Sequence, residues 1–115
     1  MTRQTRQISW IKAARKDFER FPTTVQTICL TALTIAAEGG KADIAKPFKG
    51  HGSGVFEIAV RWQGNAFRII YGVSLGEELW VVHVFQKKST QGIRTPLYEV
   101  ELVKSRIHQL KEMLG

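Results

Sequence analysis

The residues of this chain best able to do chemistry are cations set around a run of alternating side chains. Arg61 closes VFEIAVR at 55–61, and Arg68 stands in FRIIY just past the turn Gln63-Gly64-Asn65. Lys87 and Lys88 end VVHVFQKK, Lys46 and Lys49 lie in KPFKG, and Arg94 falls in the basic stretch QKKSTQGIRT at 86–95. Arginine offers a flat fork of donors and lysine a point charge, the two ways a side chain holds a phosphate. Read more plainly, the same charges guard strands against edge pairing. Glu57 is the acid among them, placed to accept a proton from a substrate or to pair with an arginine. His83 titrates near neutrality, but it sits in the apolar run LWVVHVF, so it is a core residue as readily as a catalytic one. Other patterns fail. GHGSG at 50–54 has no Lys-Ser/Thr for a phosphate loop and the wrong spacing for a nucleophile elbow. His51, His83 and His108 show no metal-ligand spacing, and the lone Cys29 allows neither an intrachain disulfide nor, with those histidines, a structural zinc site.

These residues need a scaffold, and 115 residues suffice for one domain, 1–115. Lys and Arg number 17 against 10 Asp and Glu, giving a net charge of +7 that favours anionic partners. Six of the cations fall in the first twenty residues, and no acid lies between Glu78 and Glu99. No apolar run approaches the ~20 residues of a membrane span, and the polar start MTRQTRQ does not read as a secretory signal, so a cytoplasmic protein with no membrane partner is expected.

Periodicity supplies the elements. Residues 8–11 read as a short strand and 13–20 as a helix. Pro22 is a first-turn residue for a second helix, whose apolar positions Val25, Ile28, Cys29, Ala32, Ile35 and Ala36 recur at helical spacing until Gly39-Gly40. Residues 41–54 read as a loop. Three antiparallel strands follow: 55–61 with Phe56, Ile58 and Val60 opposite Glu57, Ala59 and Arg61; 67–73; and a central strand at 79–85. Thr95 caps a last helix with Pro96 in its first position. The class is α+β.

KPFKG (46–50), GVFEIAVR (54–61), AFRIIY (66–71), VVHVFQKKS (81–89) and TP (95–96) before the last helix resemble the RelE/ParE superfamily, nearest its HigB-like, phage-derived toxins of type II toxin–antitoxin modules. The resemblance runs over nearly the whole chain after Ser9. It implies a RelE-like α+β toxin that cuts messenger RNA on the ribosome without a metal or other cofactor, until a cognate antitoxin, of helix-turn-helix type, neutralises it. In such cleavage the ribose 2′-hydroxyl attacks the adjacent phosphate and the 5′-oxygen leaves. Members of the ParE branch poison DNA gyrase instead, and a non-catalytic binding module is a third reading. Carried onto this chain, the family's arginine after the central turn falls on Arg68, for the scissile phosphate. Its basic pair falls on Lys87 and Lys88, the latter sharing that charge or protonating the leaving oxygen. Lys46, Lys49, Arg61 and Arg94 are then expected to follow the RNA backbone. Where RelE-type toxins carry lysines on the first hairpin strand, this chain has Glu57 and Ala59, so the base role passes to Glu57 or His83. The stacking tyrosine of some relatives has no clear counterpart, since Tyr98 falls at a helix start.

Overall fold

The computed structural model describes residues 5–88 and 95–115. The chain runs β1 (Ile8–Trp10), α1 (Lys12–Phe18), α2 (Thr23–Ala37), β2 (Ala45–Pro47), β3 (Val55–Trp62), β4 (Asn65–Leu75), β5 (Glu78–Lys88) and α3 (Leu97–Leu114). The strands form one sheet in the order β1-β5-β4-β3-β2. All pairs are antiparallel except β1–β5, which is parallel.

Local chemistry sets these limits. The turn between β3 and β4 is a two-residue loop with φ of 49° at Gln63 and 78° at Gly64, the left-handed pair that matches the twist of a hairpin. α2 stops in a Schellman arrangement: the Gly40 amide donates to Ile35 and the Gly39 amide to Ala36, with Gly39 at φ 96°. Pro22 and Pro96 are the residues before α2 and α3, not their first helical positions, and neither helix has a side-chain cap. Thr95 therefore does not cap α3; its hydroxyl goes elsewhere.

The sheet has two apolar faces. α1 and α2 cover one, where Phe18, Val25, Cys29 and Leu33 meet Ile58, Phe67, Ile69, Tyr71, Val81 and Val84. α3 covers part of the other, setting Val103, Ile107 and Leu110 against Val55, Ile70, Leu75 and Val82. Alternation along β4 makes this double burial possible, with Ile69 and Ile70 both fully buried on opposite sides. A bulge in β5 breaks the alternation: Ile70 pairs with His83 and Tyr71 with Val81, so Val82 is the extra residue. Val82 and His83 consequently both face α3.

Two strands depart from the sequence expectation. β2 lies inside the stretch read as a loop, because a three-residue edge strand containing Pro47 has no alternation to detect. β5 is buried on both faces as expected, but it lies next to the edge and not at the centre: β1 covers it over Leu79–Val81 only. Among the described residues no helix is long and apolar enough to cross a membrane.

Candidate functional site

Register gathers the cations. On the face that α3 shares, one row across the strands is Lys46, Glu57, Ile70 and His83; the next is Ala59, Arg68 and Phe85; the third is Arg61, Ala66 and Lys87. α3 begins above the first row and runs away from the other two, ending with Leu114 beside Gly76. The rows holding Arg68 and Arg61 are left with no described helix above them, and Ala59, Arg61 and Lys46 are exposed.

Within this patch Arg68 Nη1 donates to Glu57 Oε1 at 2.9 Å, diagonally across the hairpin, with the two side chains 18% and 16% exposed. Glu57 Oε2 accepts a long contact from the Thr95 hydroxyl at 3.4 Å. Arg68 Nε is buried without a hydrogen-bond partner among the described residues, a donor that lacks its acceptor. Lys87 is buried and engaged by neighbours. An anion laid over Ala59 would meet guanidinium groups from two adjacent strands.

His83 is placed differently. It is buried, its ring stacks on Phe85 at 5.4 Å, and both nitrogens are taken: Nε2 lies 2.9 Å from Glu99 Oε1, and Nδ1 lies 2.9 Å from Arg106 Nη1. Arg106 Nη1 also donates to the Val82 carbonyl at 3.1 Å. Burial lowers the His83 pKa below its ordinary 6.5, against the opposing pull of Glu99. Burial likewise lowers that of Arg106.

Of the residues singled out in the sequence, Arg68, Glu57, Arg61, Lys46, Lys87 and His83 thus share one face. Lys49 is exposed in the loop after β2, two residues past its end. Arg94 and the side chain of Lys88 lie outside the described residues; the Lys88 backbone pairs with Asn65. Three residues of the site escaped the sequence: Thr95, Glu99 and Arg106. Glu99 and Arg106 are seven apart, two turns on one helix face, but nothing in their types distinguishes them from ordinary surface charges of a helix. Among the described residues no cluster of three or more His, Cys, Asp or Glu is placed to hold a metal.

This arrangement of a sheet with two helices on one face and a third on the other is similar to the fold of a solved RelE toxin. The isolated RelE toxin of Escherichia coli superposes with a TM-score of 0.56 at 22% identity, over 87% of this chain and 97% of that one. A chain of the toxin–antitoxin complex RelBE2 from Mycobacterium tuberculosis matches over 76% of this chain and 97% of its own length, at 15% identity and a TM-score of 0.46. No curated protein matches. Residues 16–108 match the family described as Phage derived protein Gp49-like, and the chain belongs to that family. The phage-derived family read from KPFKG, FRIIY and HVFQKKS is borne out, and so is the RelE-like fold.

Proposed function

We propose that the chain is the toxin of a type II toxin–antitoxin module and acts as a metal-independent, ribosome-dependent mRNA endonuclease, held in check by a cognate antitoxin of helix-turn-helix type. One observation carries this reading: Arg68 and Arg61, from paired strands, flank exposed Ala59 on a sheet face that also bears Lys46, Lys87 and a carboxylate. That is an assembly suited to a phosphodiester. Fold and family support it.

In this mechanism Arg68 takes the scissile phosphate and stabilises charge building on phosphorus. Glu57 accepts the 2′-hydroxyl proton through Oε2, the oxygen that Arg68 does not hold. The 2′-oxygen bonds to phosphorus as the bond to the 5′-oxygen breaks. The leaving oxygen takes a proton from Lys88, leaving a cyclic phosphate and a 5′-hydroxyl. Lys46, Arg61, Lys49 and Arg94 hold the flanking backbone. The cations exposed on α1 and the turn after it (Lys12, Arg15, Lys16 and Arg20) suit an acidic surface of the antitoxin.

Primer extension on total RNA after brief induction tests this reading. Discrete cuts in translated messages are expected, and Arg68→Ala should remove both the cuts and the growth arrest. Undiminished arrest by Arg68→Ala would refute the phosphate role. Trapped gyrase and DNA damage without RNA cuts would place the chain with the ParE-type inhibitors instead.

A further inference from the structure

The buried cluster of His83, Glu99 and Arg106 is not consumed by the chemistry just described. Its hydrogen bonds fix the state of the ring. A guanidinium has donors and no acceptor, so at 2.9 Å Arg106 Nη1 must donate and His83 Nδ1 must accept. The ring proton then sits on Nε2 and donates to Glu99 Oε1 at 2.9 Å. A doubly protonated ring would set N–H against N–H at Arg106. Among the described residues the groups facing the ring are Glu99 and Arg106 from α3, with Asp17 of α1 and Arg20 of the turn after it lining the same cavity of about 380 Å³ and Phe85 stacked from β5 itself. A general base needs a lone pair free to reach substrate, and the one on Nδ1 is occupied.

The cluster does hold something in place. Glu99 and Arg106 grip one ring from positions two turns apart, which fixes the start of α3 on β5. Thr95 lies four residues before Glu99 and meets Glu57 on the far side of Ile70. The beginning of α3 thus spans the first row of the site from His83 to Glu57, and Glu57 holds Arg68.

Resting on the nuclease reading, we infer that His83 is a positioning residue: as a neutral Nε2–H tautomer it clamps α3 through Glu99 and Arg106, and so sets Thr95, Glu57 and Arg68 for the phosphate. Glutamine can copy both bonds, its amide oxygen accepting from Arg106 and its amide nitrogen donating to Glu99, but it cannot serve as a base. Leucine copies neither.

The experiment compares His83→Gln and His83→Leu for RNA cleavage and far-ultraviolet circular dichroism, and reads the ring of the unsubstituted protein by nitrogen-15 NMR. His83→Gln should cut at close to the wild-type rate. His83→Leu should lose about a hundredfold, the scale of a small misplacement at a reacting centre, with its helix content kept. His83→Gln falling as far as His83→Leu while folded would overturn the inference and make the ring a base. Full activity in both would overturn it as well. The spectrum needs no variant and no cleavage: a protonated Nε2 beside a bare Nδ1 at neutral pH supports the clamp, and a protonated Nδ1 overturns it. A wild-type chain that cuts no RNA would remove the nuclease reading, and the spectrum would still decide the clamp.

Discussion

Glu57 has two oxygens with unequal work. Oε1 is held by Arg68 at 2.9 Å, while among the described residues Oε2 has only the 3.4 Å contact from Thr95. If Oε2 takes the proton, Glu57→Gln should lower cleavage by about 10²–10⁴-fold, the range general bases supply. Its amide oxygen still accepts from Arg68, so stability should change little. Single-turnover cleavage beside a urea melt separates the two effects, and full activity in Glu57→Gln would remove the base role. His83 predicts a pH effect of definite sign. Its folded pKa lies below the ordinary 6.5 because the ring is buried. Between those values the unfolded chain binds the extra proton and the folded chain does not. Stability is therefore complete above about pH 6.5 and declines as pH falls toward the folded value, by at most about 1.4 kcal/mol per pH unit. Urea midpoints across that range should show the decline, and His83→Gln should remove it. Cys29 is sealed in the core, where burial pushes its thiol up to about 12. It should react with thiol reagents only at the rate of unfolding.

At the scale of elements, hairpins and helix ends hold the tests. Gln63 occupies a left-handed position at φ 49° next to Gly64. Gln63→Gly should relieve it and stabilise the β3–β4 hairpin by a few tenths to ~1 kcal/mol, seen as a higher melting temperature. An unchanged or lower value would show that the turn carries no strain. Most elements were legible because each repeats its pattern long enough to read: alternation across 55–61 and 67–73, and the apolar stripe of α2 ended by paired glycines. β2 was not, having three residues at an edge, one of them proline. The same logic applies to the site. Arg61, Arg68 and Glu57 could be placed on one face by counting along two strands joined by a tight turn. The partners of His83 could not, because they come from a helix that follows at a sequence distance and docks through tertiary packing. Nor does alternation foresee a bulge: the extra residue at Val82 is what turns His83 toward α3.

The whole molecule is divided by charge. α2 carries no Asp, Glu, Lys, Arg or His from Thr23 to Ala37, and it exposes Ile28, Leu30 and Ile35 alongside Ile44. Exposed cations lie elsewhere, on α1, on α3 at Lys104 and Lys111, and on the sheet face with Lys46 and Arg61. A single strand held on that face would release counterions in proportion to the phosphates neutralised, with log K falling by about 0.7 per phosphate for each unit of log salt. Lys46→Gln combined with Arg61→Gln should therefore flatten the slope by about 1.4 and weaken binding across sequences alike, since phosphate contacts carry no base information. Thr31→Glu on the uncharged flank adds one negative charge in place of removing two positive ones, and away from the site it should leave the slope as it was. Fluorescence anisotropy with a labelled 2′-O-methyl oligonucleotide, whose 2′-oxygen cannot attack, measures both variants over a potassium chloride series. An equal slope for the wild type and the Lys46/Arg61 variant would mean that RNA is bound by another surface, with α1 the next to test. A slope changed as much by Thr31→Glu would mean that net charge, and not this face, attracts the strand.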